Sequence, residues 1–146
     1  MSSVPISDEV RSSIIDAEHL RLLSLGHYIV GGLEILFASM FIFHFVMFFF
    51  VASDPQFFPP AKPGQPGPPQ EVFRVMGAVI GLFVLAGWTF GGLTIYVGRS
   101  IKRRTNRTLS VVIACINLLF IPLGTILGVA SLMVLTRGSV KNAYEG

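Results

Sequence analysis

The chain has 146 residues and a net charge of +3; 52% of its residues are hydrophobic, only 13% are charged, and its mean hydropathy is +0.70. A soluble domain normally carries about 25% charged residues, so this composition excludes an ordinary soluble domain, and it also excludes collagen-like, coiled-coil and disordered chains. The only cysteine, Cys115, allows neither an intrachain disulfide nor a cysteine-rich metal cluster. With these classes excluded, the composition predicts a small integral membrane protein.

The N-terminal segment, residues 1–24, carries charges of both signs and is predicted to be partly helical from about Ser7. Ser7 suits a helix cap, and the acids that follow it suit the positive end of a helix. Glu18 and Arg21 stand three residues apart, which is a helical pairing. Two interpretations remain open: a helix lying along the membrane surface, or an extension of the first membrane span.

Three hydrophobic blocks follow, at residues 25–52, 75–98 and 109–135. Each is longer than the ~18–20 residues that cross the hydrocarbon layer of a bilayer. Since the backbone must satisfy its own hydrogen bonds in lipid, each block is predicted to be helical. The first two blocks are predicted to be complete transmembrane helices.

The third block has two interpretations, because Pro122 and Gly124 interrupt it near its middle. It forms either a hairpin of two short helices or a single span that is kinked at Pro122. A hairpin returns Arg137 and Lys141 to the cytoplasmic side, as the positive-inside rule favours. The predicted fold is therefore all-α: a small polytopic bundle with two full spans and an interrupted hairpin, the alternative being three spans.

The connecting segments set the orientation. Residues 53–74 form a Pro-rich outer loop, residues 99–108 form a basic loop, and residues 136–146 form a C-terminal tail. The basic loop is predicted to be cytoplasmic, which places the N-terminus there too, and it is a candidate for contact with lipid headgroups. Its five cationic residues are Arg99, Lys102, Arg103, Arg104 and Arg107. A plain linker is the favoured interpretation of the Pro-rich loop, with partner binding as the alternative.

Glu34 is the strongest single candidate for chemistry, because an acid inside a span is costly and usually faces a bundle interior or a water cavity. It is predicted to be an ion or hydrogen-bond site. The structural interpretation, a hydrogen bond to Thr89, Thr94 or Asn117, is favoured over a proton or cation site, since neither of the other two blocks carries an acid or a base.

His27 and His44 are candidates for axial ligands of a haem or pigment. They stand seventeen residues apart, about 25 Å along a helix, so they approach opposite membrane surfaces and cannot share one metal. Interfacial hydrogen bonding is the favoured interpretation. We expect no metal and no resident cofactor.

Small residues predict close helix packing, since glycine lets two helices approach in lipid. The spacing G-x-x-x-G occurs three times in the second and third blocks, at Gly77 and Gly81, Gly87 and Gly91, and Gly124 and Gly128. The pattern does not distinguish packing within the chain from packing against a partner.

The third block also carries a resemblance. The stretch Pro122-Leu123-Gly124-Thr125-Ile126-Leu127-Gly128, preceded by Arg103-Arg104 and followed by Ser139-Val140-Lys141, resembles small multi-span bacterial inner-membrane proteins without an assigned function. The resemblance extends over Leu20 to Tyr144. It implies a bacterial inner-membrane location and supplies no catalytic residue.

These observations predict a non-enzymatic membrane protein, an accessory or structural subunit that packs against a larger membrane complex or against itself. The expected partners are the lipid bilayer and other membrane subunits, without nucleic acid. One alternative is a small transporter or ion-conducting oligomer that uses Glu34. A further alternative is a haem- or pigment-bearing subunit.

Overall fold

The computed structural model describes residues 7–58, 63–64 and 70–145, and this part of the chain is all-helical. Its α-helices are α1 (Asp8–Ser53), α2 (Gln70–Arg103), α3 (Arg107–Asn117), α4 (Leu123–Leu135) and α5 (Gly138–Glu145). A single 3₁₀ turn, Pro55–Phe57, follows α1. Much of the Pro-rich outer loop, at positions 59–62 and 65–69, lies outside the described residues.

The two long helices exceed the blocks that predicted them. α1 has 46 residues, about 69 Å at the α-helical rise, and begins at Asp8, so the N-terminal segment extends the first helix. α2 has 34 residues and begins at Gln70, five residues before the predicted second block. Both are long and apolar enough to cross a membrane, by length and composition.

The predicted basic loop at residues 99–108 is largely helical, so this boundary was wrong. Arg99, Lys102 and Arg103 belong to the last turns of α2, and Arg107 begins α3. Only Arg104–Asn106 connect the two helices. Arg104 has a left-handed φ of 54°, and the N–H of Thr105 donates to the carbonyl of Ser100 at 2.9 Å. This is the usual way in which a helix ends, but a glycine normally occupies the left-handed position.

The third hydrophobic block divides where Pro122 and Gly124 predict. α3 has 11 residues, α4 has 13, and the chain turns between Asn117 and Leu123. The two helices are antiparallel: Arg107, the first residue of α3, donates from Nε to the carbonyl of Leu135, the last residue of α4, at 3.0 Å. Neither short helix reaches the ~30 Å of a hydrocarbon core.

The chain divides into two compact units. Unit 1 comprises Met1–Gly32 and Gly91–Gly146 and contains the start of α1, the end of α2 and all of α3, α4 and α5. Its apolar core includes side chains from every one of these helices, with Ile101, Leu135 and Val140 completely buried.

Unit 2 comprises Leu33–Phe90, the second half of α1 and the first half of α2. Glycines of α2 lie against side chains of α1 here: Gly81 against the ring of Phe45, and Gly87 against Ala38. Phe73 contacts both Phe48 and Phe58 with its ring inclined to theirs, and the ring centroids are 5.6 and 5.4 Å away. Close packing and aromatic contacts therefore hold the two helices together in this unit.

Candidate functional site

Unit 1 contains a polar core that the charge pattern of the sequence does not reveal. Seven polar side chains are buried there, none of them acidic: Ser24, His27, Thr94, Ser100, Ser110, Asn117 and Ser131. Some satisfy the backbone directly, as Ser24 does by donating from Oγ to the carbonyl of Gly98 at 2.7 Å. This hydrogen bond joins α1 to α2, so part of the core is structural.

His27 belongs to this core and is completely buried. The predicted interfacial hydrogen bonding of this residue concerns its depth in a membrane and stays a prediction. Its Nδ1 lies 2.9 Å from the carbonyl of Leu23, one turn earlier in α1. Because a carbonyl only accepts, Nδ1 carries the proton, and Nε2 presents a lone pair. Nε2 is buried and has no hydrogen-bond partner among the described residues.

Close backbone approach explains why His27 is enclosed. The point where a Cβ would sit on Gly98 lies 2.9 Å from the carbonyl oxygen of Ser24 and 3.0 Å from the Cβ of His27. Gly31 meets the backbone of Gly91 in the same way. With no exposed ring edge, His27 offers no access to a haem, which is large and planar, so the structure does not favour the axial-ligand interpretation.

Three further polar groups share the unit. The hydroxyl of Thr94, the amide of Asn117 and the hydroxyl of Ser131 are buried and have no hydrogen-bond partner within the described part of the chain. Thr94 lies on the face of α2 between Gly91 and Gly98, the two glycines that approach α1, and Asn117 lies against Gly124 of α4.

These groups, with His27, supply neutral donors and acceptors. Residues 7–58, 63–64 and 70–145 hold no group of three His, Cys, Asp or Glu side chains that suits a metal ion.

Sequence reasoning missed Ser131 and Ser110, although a spacing signal exists. Ser131 follows Gly124 and Gly128 at helical intervals and so lies on the face of α4 that packs against α3. Small polar residues that continue a glycine face are therefore a sign of an interior position.

Glu34 belongs to unit 2 and is half-buried, and both of its carboxylate oxygens are inaccessible to solvent. Thr89, a predicted partner in the same unit, donates its hydroxyl to the carbonyl of Leu85 instead. The position therefore fits the predicted enclosure of this side chain, and its role as an ion or hydrogen-bond site stays a prediction.

His44 is exposed, unlike His27, and it lies beside two phenylalanine rings of the same helix. Its ring centroid lies 5.9 Å from that of Phe41 and 5.8 Å from that of Phe43. The structure does not bring the two histidines together, since they lie seventeen residues apart on the same helix, α1. A role for His44 in cofactor binding stays a prediction.

The glycines predicted to pack helices all lie on described helices, and the structure shows close contacts at most of them. Gly77 and Gly81 contact Phe48 and Phe45. Gly124 and Gly128 contact backbone atoms of α3, the nearest of which would lie 2.6 Å from a Cβ added to either glycine. These contacts are within the chain. Pro122 immediately precedes α4, in agreement with its predicted place at the turn.

Cys115 is exposed on α3. The basic residues at the end of α2 are exposed as well, including Arg99, Lys102 and Arg103. Nearby, Arg137 makes an ion pair with Asp16 at 3.4 Å. Charge in unit 1 is thus concentrated around the ends of α2 and α4.

Comparison with known proteins identifies no relative: no protein-family model, no curated protein and no solved structure matches the chain.

Proposed function

We propose that the protein is a polytopic membrane protein of the bacterial inner membrane, with α1 and α2 as full spans and α3–α4 as a hairpin that enters and leaves on one side. The observation that carries this proposal is the exposure of the long helices. Only 11% of the most hydropathic 18-residue window of α1, and 17% of that of α2, is buried. A core helix of a soluble protein would be mostly buried, so these surfaces need lipid.

The hairpin supports the one-sided arrangement. At its tip, Leu119 and Ile121 are 79% and 82% exposed, as apolar side chains surrounded by lipid would be. At its open end lie Arg107 and Arg137, and Arg137 contacts Asp16 near the start of α1. Leu127 contacts Gly26, so the tip lies further along α1, away from the charged end.

The charge distribution gives the orientation of this arrangement. The open end of the hairpin, the end of α2 and the start of α1 share the basic residues of unit 1. By the positive-inside rule this end faces the cytoplasm, which places the N-terminus and α5 there together. Cysteine substitutions at Ser139 and Gln56, labelled by an impermeant maleimide in the Cys115→Ala background, test it: only position 56 should react from outside the cell.

Within that membrane the proposed role is non-enzymatic: an accessory or structural subunit that packs against another membrane protein or a second copy. The predicted glycines are used within the chain, so the surface left for a partner is aromatic. Phe43 is 71% exposed in unit 2, and Met40 and Phe50 are exposed beside it. Large aromatic and Met side chains are the residue types that interfaces favour.

Photo-crosslinking tests this role. A photoreactive phenylalanine at position 43 should capture a protein partner in intact cells, and mass spectrometry identifies it. The matched control is position 45 on the same helix, where the ring lies against Gly81 of the chain itself. An absorption spectrum of the protein purified in mild detergent accompanies this experiment. Visible absorption bands would support the haem- or pigment-bearing alternative instead. If the photoreactive residue crosslinks only to lipid, and equally from both positions, the result would contradict a protein partner.

A second candidate function rests on the buried carboxylate of Glu34. Because both oxygens are shielded from solvent, this side chain could exchange a proton with a path inside the membrane. Proton or cation flux into liposomes that contain the purified protein, abolished by Glu34→Gln with unchanged assembly, would support transport. No flux from the intact protein would eliminate this function.

A further inference from the structure

A groove in unit 1 combines an apolar wall with a cationic rim. It has a volume of about 540 Å³ and lies between the N-terminal part of α1 and the C-terminal end of α2. Leu22, Leu25 and Tyr28 of α1 line the wall. The rim carries Arg21 of α1 together with Lys102 and Arg104 at the end of α2. The volume is within the range of about 300–1,000 Å³ that is typical of ligand sites.

The rim is net positive. One carboxylate, that of Glu18, also lines the groove, and it lies 4.0 Å from the guanidinium of Arg21, which offsets it. Lys102 and Arg104 have no carboxylate partner among the described side chains. An anion at the rim would therefore meet two cations that make no ion pair with the described carboxylates, since Glu18 pairs with Arg21 and Asp16 pairs with Arg137.

The backbone at Arg104 supports a role for its side chain. This residue holds the left-handed conformation that ends α2, with φ of 54°, a position where glycine is the favoured residue. An arginine there is conformationally unfavourable, yet it brings Arg104 to the lining of the groove. Guanidinium groups bind phosphate through paired hydrogen bonds.

We propose that this groove binds one anionic phospholipid, with its phosphate headgroup at Lys102 and Arg104 and the start of its acyl chains along Leu22 and Leu25. The proposal rests on the membrane location proposed above, since a bilayer supplies the ligand. Charge complementarity favours this ligand. An apolar helix of a partner would leave the two cations without a counter-ion, whereas an anionic lipid places its phosphate at the cationic rim and its acyl chains on the apolar wall.

Native mass spectrometry of the full chain in mild detergent tests the proposal. The probes are phosphatidylglycerol and phosphatidylcholine with the same acyl chains. We expect one phosphatidylglycerol molecule to be retained in preference to phosphatidylcholine. The double variant Lys102→Gln/Arg104→Gln should weaken phosphatidylglycerol binding about 25-fold, at about fivefold for each lost charge, and abolish the preference.

The matched control is Arg99→Gln/Arg103→Gln, which removes the same charge from the same helix end but from residues that do not line the groove. It should retain the preference for phosphatidylglycerol. An equal loss in both double variants would overturn the proposal, because it would show general attraction to a basic surface. Absence of any preference in the unsubstituted chain would overturn it too.

A third variant tests the apolar wall. Leu25→Ser leaves every charge in place and should weaken both lipids together. Inorganic phosphate should not displace phosphatidylglycerol at millimolar concentration, and displacement would indicate a site for free phosphate instead. Circular dichroism checks that each variant is folded.

Failure here remains distinguishable from failure of the proposed function. The lipid measurement needs no protein partner, so it gives a result even where photo-crosslinking finds none. Flotation of the chain with liposomes tests membrane integration separately: a chain that stays soluble without detergent contradicts the membrane location itself.

Discussion

The two units of this protein bury different kinds of side chain. The polar residues that are buried as a whole, among those the structure describes, all belong to unit 1. Unit 2 buries the apolar side chains of Ala38, Ala52 and Val84, and it shields the carboxylate oxygens of the half-buried Glu34. Five helical segments can enclose a polar group on all sides, whereas two helices leave most of each side chain facing outward. The difference shows that whole polar side chains are buried in the unit that contains the α3–α4 hairpin, whereas the two helices of unit 2 cover only part of Glu34.

The glycines of the two units also meet different neighbours. In unit 1, Gly128 lies against the carbonyl oxygen of Ala114, which would be 2.6 Å from an added Cβ. In unit 2, Gly81 lies against the ring of Phe45, at 2.8 Å. A ring can rotate aside, but a helix backbone cannot, so equal distances do not mean equal rigidity.

The largest expected effect tests this contrast in rigidity. Gly128→Ala should lower the free energy of unfolding by about 3 kcal/mol, whereas Gly81→Ala should lower it by about 1 kcal/mol or less. Unfolding by SDS in mixed micelles measures both. Gly92→Ala is the control, since nothing lies within 4 Å of its added Cβ, and it should be neutral or slightly stabilising. Equal losses at positions 81 and 128 would contradict the contrast.

A smaller effect concerns the aromatic contacts of unit 2. Phe73→Ala removes two ring contacts and should lower the free energy of unfolding by about 2 kcal/mol. Phe43→Ala, an exposed ring on α1, should change it by less than about 0.5 kcal/mol. The same SDS titration compares the two. A larger loss of unfolding free energy for Phe43→Ala than for Phe73→Ala would show that the exposure of a ring does not predict its contribution to stability.

Two substitutions in the polar core of unit 1 are expected to change the free energy of unfolding in opposite directions. Ser24→Ala loses the hydrogen bond to Gly98 and should lower the free energy of unfolding by about 1 kcal/mol. Thr94→Val keeps the shape and removes a buried hydroxyl without a partner in the described chain, so it should raise stability by about 1 kcal/mol. Destabilisation by Thr94→Val would reveal a hydrogen bond to an internal water.

The smallest effect appears only at alkaline pH. Burial raises the pKa of the Tyr144 phenol above 10.0, and the nearby Arg104 and Arg107 partly oppose that rise. A raised pKa in the folded state means that stability is complete below pH 10 and is lost as the pH rises through the folded value. Thermal midpoints between pH 8 and 11 should fall more for the unsubstituted chain than for Tyr144→Phe; parallel curves would contradict the shift.

Much of the architecture is predictable from the sequence. Hydrophobic length predicts α1 and α2, and Pro122 with Gly124 predicts the break before α4, because proline removes a backbone donor. The helical N-terminal segment follows from its capping residues. The boundaries near the basic residues were less predictable, because α2 ends at an arginine in the left-handed conformation and no glycine marks that position.

The interior positions were not predictable, and His27 and Cys115 show why. In a soluble helix, the contrast between polar and apolar faces identifies the buried side. The hydrophobic blocks of this chain are apolar on every face of the helix, so hydropathy predicts neither that His27 faces the core nor that Cys115 faces outward. Contacts with Gly98 and its neighbours enclose His27, and these contacts depend on the fold of unit 1.

The short hairpin has a consequence for biosynthesis. Neither α3 nor α4 is long enough to partition into the bilayer as an independent segment during translation. Both emerge from the ribosome after α1 and α2, whose faces in unit 1 they complete. In the membrane arrangement proposed above, the insertion machinery would release α1 and α2 first, and the hairpin would enter the membrane by folding onto them. A defect in α1 would then appear as a failure to insert α4.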